Sequence, residues 1–107
     1  MRVLIDECVP HDIRHHLPGH SASTVSYMCW SGKKNGELFS LMIQDGFEVL
    51  LTVDQNLKHQ QNLSAAGIAV VVLVADSTEL SDLIPLMPGA CAALGVIKPG
   101  DVVEVTA

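Results

Sequence analysis

Three short, mostly apolar runs in this chain each end at an acidic residue. They are residues 2–5 (RVLI), followed by Asp6 and Glu7; residues 47–53 (FEVLLTV), followed by Asp54; and residues 68–74 (IAVVVLV), followed after one residue by Asp76. Continuous apolar runs are typical of strands that are covered on both faces of a parallel sheet. Because ligands bind at the carboxyl ends of such strands, the pattern predicts that these acids share the functional edge of a sheet.

Segments with helical character alternate with the strand-like ones. Helices are predicted over residues 10–17, 35–45, 55–62 and 80–94, with Asn35 as an N-cap, and weaker strands over 20–25 and 101–105. This alternation predicts an α/β fold, a three-layer α/β/α sandwich around a central, mainly parallel sheet. A length of 107 residues fits a single domain over residues 1–107.

The composition restricts the class of protein. Apolar residues make up 49% of the chain and charged residues 17%, which excludes an intrinsically disordered protein. The 12 acidic and 6 basic residues give a net charge of −6. This charge argues against a general nucleic-acid coat, since such proteins neutralise phosphates with many lysines and arginines. It does not exclude a site that binds metal ions, because such a site needs carboxylates.

The sequence also indicates a compartment. The longest apolar run, residues 68–75, is far shorter than the roughly 20 residues of a membrane-spanning helix. Asp6 and Glu7 fall where a signal peptide would need its apolar stretch. The three cysteines form no CxxC pair. A cytoplasmic protein with reduced thiols is therefore expected.

The acids at the strand ends suggest a site for a divalent metal ion. A further carboxylate, Glu37, lies in the first turn of a predicted helix, where the helix dipole favours negative charge. Carboxylates grouped at one edge repel each other unless a cation lies between them, and Mg²⁺ or Mn²⁺ prefer oxygen ligands. Such an ion activates water and neutralises charge on a phosphodiester. A single acid after a strand is more often a turn residue or a helix cap, so the argument depends on the repetition.

Response-regulator receivers also gather acids at strand ends around Mg²⁺. They need a longer chain and a lysine at the end of their fifth strand, whereas Lys98 precedes the last predicted strand here. This alternative is therefore disfavoured.

Four segments carry a family resemblance: VLIDECVP (3–10), WSGKKNGEL (30–38), LTVDQNLKHQQNL (51–63) and IAVVVL (68–73). In this order, and with the acids at matching places, they resemble the small PIN-like proteins, a short single-domain branch of the PIN nucleases placed near the toxins of toxin–antitoxin pairs. The resemblance covers about the first 90 residues. It implies a PIN-like fold and an Mg²⁺- or Mn²⁺-dependent ribonuclease that hydrolyses RNA by metal-activated water.

The resemblance also implies roles for particular residues. Asp6, Glu37 and Asp54 match the catalytic, metal-binding acids of the family. Glu7 belongs to the D-E-N pattern of this branch and is expected beside the metal ligands. The last metal ligand has two candidates, the carboxylate of Asp76 and the neutral amide oxygen of Asn56.

The implied partners are RNA as substrate, an antitoxin protein and a second copy of the chain in a homodimer. Lys33, Lys34 and Lys58 lie next to the proposed acids and are candidates for holding RNA phosphates, although lysines also solubilise loops. The branch usually has Asn where this chain has Cys8. This departure favours an alternative, a catalytically weak PIN-like domain that acts as a protein-binding module.

Two further groups invite an interpretation. Cys8, His11 and His15 have spacings that suit zinc, but structural zinc needs four ligands and no fourth is specified, so solvated histidines are favoured. Trp30 is able to stack on a base, but packing against the domain is favoured.

Overall fold

The computed structural model describes residues 1–55 and 67–106. In this part of the chain five strands form one all-parallel sheet: β1 (Arg2–Ile5), β2 (Ser21–Thr24), β3 (Val49–Thr52), β4 (Ala69–Val74) and β5 (Val102–Thr106). Their spatial order is β2-β1-β3-β4-β5. The predicted α/β class with a central parallel sheet is confirmed.

Helices connect these strands. They are a 3₁₀ helix (His11–His16), α1 (Asn35–Asp45), α2 (Leu80–Leu83), a second 3₁₀ helix (Ile84–Leu86) and α3 (Met87–Leu94). Pro85 and Pro88 divide the last predicted helical region into three pieces, because proline lacks the N–H that a continuous helix needs. The predicted helix over residues 55–62 lies outside the described residues, apart from Gln55. None of the described helices reaches the length and apolar character that crossing a bilayer requires.

Helix α1 begins and ends at definable signals. Lys34 precedes it in an extended conformation and Asn35 is its first residue, so the prediction of Asn35 as the N-cap is wrong by one position. Glu37 lies in the first turn, as predicted. The helix ends at Gly46, whose φ of 81° is left-handed and whose N–H bonds back to the carbonyls of Met42 and Ile43.

Hydrophobic cores lie on both faces of the sheet. Alternate strand residues point to opposite faces, so Val3 and Val49 pack with the first 3₁₀ helix, α2 and α3, while Leu4 and Leu50 pack with α1. Each of these four side chains is at most 1% exposed. The result is three layers with helices on both sides of the sheet, and continuous apolar strands are what such a layer needs.

The strand order places a crevice at one edge of the sheet. From β1 the chain passes to β2 on one side and then returns to β3 on the other side of β1. The two connections carry their helices on opposite faces, the 3₁₀ helix on one and α1 on the other. Open parallel sheets bind ligands outside the carboxyl ends of the strands where the order reverses in this way. Here that point lies between β1 and β3.

Candidate active site

The side chain of Thr52 bonds both to the carboxylate of Asp6 and to the backbone of Asp54. Asp6 directly follows β1 and its backbone N–H bonds to the carbonyl of Leu51 on β3, at 2.9 Å. The Thr52 hydroxyl, which is completely buried, lies 2.8 Å from Oδ2 of Asp6. The backbone N–H of Asp54 donates to the same hydroxyl at 3.0 Å. One buried oxygen therefore links the two strand ends that carry the predicted acids.

The direction of these hydrogen bonds follows from the groups present. An ionised carboxylate only accepts, and the Asp54 N–H only donates. Thr52 must therefore give its proton to Asp6 and accept from Asp54. Sequence reasoning missed Thr52. A hydroxyl at the end of an apolar strand is a usable signal, because such a group is buried and needs a hydrogen-bond partner.

A cleft of about 360 Å³, here called the acidic cleft, opens above this linkage. Its lining combines three carboxylates, one ammonium group and apolar walls: Asp6, Glu7, Cys8, Val25, Lys33, Leu38, Val53 and Asp54. The loop that carries Lys33 is tied to this edge because the N–H of Gly32 donates to Oε1 of Glu7 at 3.4 Å. Four of the predicted site residues, Asp6, Glu7, Asp54 and Lys33, thus come together.

Glu37 lies beside the acidic cleft rather than in its lining. Its carboxylate is 3.8 Å from Nζ of Lys33, which lies four residues earlier, in the loop before α1. Both side chains are exposed, so this ion pair contributes little to stability and exchanges readily with solvent ions. Lys33 therefore connects Glu37 with the acidic cleft.

Asp76 lines a different cleft. This second cleft, of about 310 Å³, lies beyond the end of β4 and includes Ser81 and Asp82. Asp82 accepts a hydrogen bond of 2.6 Å from the hydroxyl of Ser77. Asp76 as a metal ligand stays a prediction. Asn56 and Lys58 lie outside the described residues.

Cys8 adds a thiol to the wall of the acidic cleft. Its sulfur lies 3.7 Å from the Thr52 hydroxyl. Partial burial raises the pKa of the Cys8 thiol, and the negative charge of Asp6 acts in the same direction; hydrogen bonds with the Val53 backbone and with Thr52 oppose the rise only in part. Cys8 is therefore a neutral thiol around neutral pH and leaves the charge of the cleft to its carboxylates.

The donor set of the acidic cleft fits a hard divalent cation. Within residues 1–55 and 67–106, no three His, Cys, Asp or Glu side chains are grouped as around a bound metal. Mg²⁺, however, commonly takes only one or two carboxylates and completes its shell with water and substrate phosphates. Each oxygen of Asp6 accepts one hydrogen bond, from Thr52 or from the N–H of Glu7, and keeps a lone pair. Asp6 therefore keeps acceptor sites for a cation, and Asp54, which lines the same cleft, is the second candidate ligand.

Comparisons with protein-family models, curated proteins and solved structures found no significant match to this chain.

The other side chains considered from the sequence have local contacts. His11 lies 3.2 Å from Asp12, and His15 accepts a hydrogen bond from Arg14 at 3.4 Å. Trp30 is partly buried and packs edge-on against Phe47, with the ring centres 5.8 Å apart. The prediction that Trp30 packs against the domain is confirmed.

Proposed function

We propose that this chain is a PIN-like, metal-dependent ribonuclease that hydrolyses phosphodiester bonds in RNA. One observation carries the proposal: Asp6 and Asp54, at the ends of neighbouring parallel strands, are joined through the buried hydroxyl of Thr52 and line one cleft. Carboxylates held at a strand-order reversal are suited to a divalent cation and to a phosphate ligand beside it.

Each residue of the acidic cleft has a task in this proposal. Asp6 and Asp54 hold Mg²⁺ or Mn²⁺, which supplies Lewis acidity and a nucleophile from water. Thr52 fixes the orientation of Asp6 through its hydrogen bond. Lys33 faces the same space and neutralises charge on the phosphate that enters it. Glu7 holds the Lys33 loop at the edge of the cleft through Gly32.

The test is cleavage of end-labelled single-stranded RNA by the purified chain in Mn²⁺. Asp6→Asn and Asp54→Asn keep the shape of each side chain and remove its charge. We expect activity to fall more than about 100-fold in each, since even outer partners of a metal ligand cost roughly 10- to 100-fold. Asp45→Asn is the matched control, because this acid is exposed and lies at the far end of α1.

Equal loss in the Asp45 variant, or full activity in either cleft variant, would contradict the proposal. A folded wild-type chain that binds no Mn²⁺ in calorimetry and cleaves no RNA would also overturn it. In that case capture of a specific protein partner would support the alternative of a protein-binding module.

Three further parts of the proposal rest on the sequence and on the resemblance. The chain acts in the cytoplasm, forms a homodimer, and is held inactive by an antitoxin as the toxin of a toxin–antitoxin pair. The acidic surface favours a basic antitoxin, because opposite charges speed and orient association.

A further inference from the structure

A smaller cleft is bordered by β2 and by the turn that follows it. It has a volume of about 220 Å³ and is here called the Tyr27 cleft, after the aromatic residue in its wall. Its lining consists of a guanidinium group, an aromatic ring, two hydroxyls and one methyl: Arg14, Ala22, Ser23, Thr24 and Tyr27. No residue of the acidic cleft is among them.

Tyr27 differs from the other aromatic residues of the chain. Phe39 and Phe47 belong to the core and Trp30 packs against Phe47. Tyr27 is 74% exposed. An aromatic face left in water beside a cleft is a surface on which a planar base stacks.

The turn that carries Tyr27 is held in place by its own hydrogen bonds. The N–H of Tyr27 donates to the hydroxyl of Thr24 at 3.0 Å, and the N–H of Trp30 donates to the carbonyl of Val25 at 3.0 Å. Cys29 has a left-handed φ of 62°, which closes the turn. The ring is therefore presented by an ordered backbone, so a ligand loses little free energy in ordering it.

Arg14 supplies the charge of the Tyr27 cleft. In the described part of the chain Arg2 and Lys33 each face a carboxylate, whereas Arg14 is in no ion pair and contacts the ring of His15. An exposed guanidinium with a fork of donors is suited to phosphate oxygens. Arg14 and Tyr27 together match the phosphate and the base of one nucleotide.

The two clefts are lined by residues that lie close together along the chain. Val25 lines the acidic cleft and Tyr27 lines the Tyr27 cleft, and two residues of chain span at most about 7 Å. The N–H of Val25 bonds to the carbonyl of Ile5, directly before Asp6. We infer that the Tyr27 cleft binds a nucleotide of the single-stranded RNA that enters the acidic cleft, with the base on Tyr27 and a phosphate on Arg14. This inference rests on the proposed function.

The test measures binding apart from cleavage. The probe is a fluorescein-labelled ten-nucleotide oligouridine with 2′-O-methyl groups, and the readout is anisotropy in Mn²⁺ at several salt concentrations. We expect Tyr27→Ala to weaken binding about 10-fold and Tyr27→Phe to retain it within about 2-fold, because stacking needs the ring and not the hydroxyl. Arg14→Ala should weaken binding and reduce the salt slope by about 0.7, the value for one phosphate of a single strand.

Two controls separate local from general effects. Val96→Ala changes an equally exposed apolar side chain, and Lys98→Ala removes a positive charge at the amino end of β5; both should bind as the wild type does. An oligonucleotide with one 5-bromouridine should crosslink to Tyr27 on irradiation, as mapped by mass spectrometry. Unchanged binding in Tyr27→Ala, or an equal loss in the controls, would overturn the inference.

The outcomes distinguish this inference from the proposed function. Binding and crosslinking at Tyr27 without any RNA cleavage would support RNA binding at the Tyr27 cleft and contradict the ribonuclease activity. Cleavage that depends on Asp6 but not on Tyr27 would do the reverse. A wild-type chain that binds no RNA would overturn both.

Discussion

The hydroxyl of Thr52 donates a hydrogen bond of 2.8 Å to Oδ2 of Asp6, across the junction of β3 and β1. Thr52 also accepts the N–H of Asp54 and is completely buried. Its two partners are the acids to which we assign the metal. A structural hydrogen bond and the geometry of the proposed site therefore depend on one oxygen atom.

Replacing this oxygen should cost both stability and metal affinity. Thr52→Val keeps the shape of the side chain and leaves the Asp54 N–H without its partner, so we expect the free energy of unfolding to fall by about 1–3 kcal/mol. Affinity for Mn²⁺ should fall roughly 10- to 100-fold, because Asp6 loses its orienting donor. Urea denaturation and calorimetry measure the two effects.

Thr52→Ser is the matched control for that experiment. It keeps the hydroxyl and loses one methyl group, which costs about 0.8 kcal/mol of burial, so Mn²⁺ affinity should stay near that of the wild type. A valine variant that binds Mn²⁺ as tightly as the serine variant would contradict the role of Thr52.

The raised pKa of Cys8 predicts an unusual pH dependence of alkylation. In a Cys29→Ser/Cys91→Ser background only Cys8 reacts with iodoacetamide, and only its thiolate is the nucleophile. Because burial and the charge of Asp6 raise the pKa of this thiol, the midpoint of the rate profile should lie above that of N-acetylcysteine. Asp6→Asn should move the midpoint down, since it removes the negative charge that raises this pKa together with burial.

The raised pKa of Cys8 also makes the free energy of unfolding fall with rising pH in the alkaline range. A thiol whose pKa is higher in the folded chain than in the unfolded chain stabilises the fold below the unfolded pKa, and this contribution is lost as the pH rises through the folded pKa. Cys8→Ser should therefore flatten the loss of stability at alkaline pH. A Cys8 midpoint at or below that of N-acetylcysteine would contradict the burial argument.

Two glycines, one in the first turn of α1 and one that caps its C-terminus, should respond to alanine in opposite directions. Gly46 has a left-handed φ of 81°, and a Cβ there would lie 3.2 Å from Nη1 of Arg2, so Gly46→Ala should destabilise the chain by about 1–2 kcal/mol. Gly36 lies in the first turn, and a Cβ there would meet no atom within 4 Å. Gly36→Ala should stabilise the chain by up to about 1 kcal/mol, from helix propensity.

Thermal denaturation of these two variants provides the measurement. Each serves as the control for the other, because both substitutions add one methyl group, one inside α1 and one at its cap. A Gly46→Ala variant as stable as the wild type would contradict the argument from the left-handed φ of Gly46.

The sheet could be predicted from the sequence because its signal is local and repeated. Val3, Leu4 and Ile5 must face both sides of the strand, and a run without polar residues is stable only where both faces are covered. The weaker signal of residues 10–17 predicted a helix, and the structure has a six-residue 3₁₀ helix there. A segment between Pro10 and Pro18 has too few residues for a regular α-helix to be favoured.

The candidate site could be predicted only in part. Asp6 and Asp54 each follow an apolar strand directly. Because parallel strands have their carboxyl ends at the same edge of the sheet, the sequence could predict that these two acids lie near each other. The separation of Asp76 into another cleft depends on the position of α2, which no spacing in the sequence specifies. Thr52 was missed because its partners are Asp6, 46 residues away along the chain, and a backbone N–H.

Removing the metal gives the last prediction. An ion that binds the folded chain alone stabilises it by about 2.7 kcal/mol at about 100 times its Kd, so Mn²⁺ should raise the Tm and a chelator should reverse the rise. Asp6→Asn/Asp54→Asn should abolish the rise. The Tm of the metal-free double variant should itself fall slightly, because the introduced amide has one oxygen that accepts, whereas Asp6 accepts from both Thr52 and the N–H of Glu7. Differential scanning calorimetry measures both effects, with Asp45→Asn as the control that keeps the metal response. An equal Mn²⁺-induced rise in the double variant would place the bound metal elsewhere on the surface.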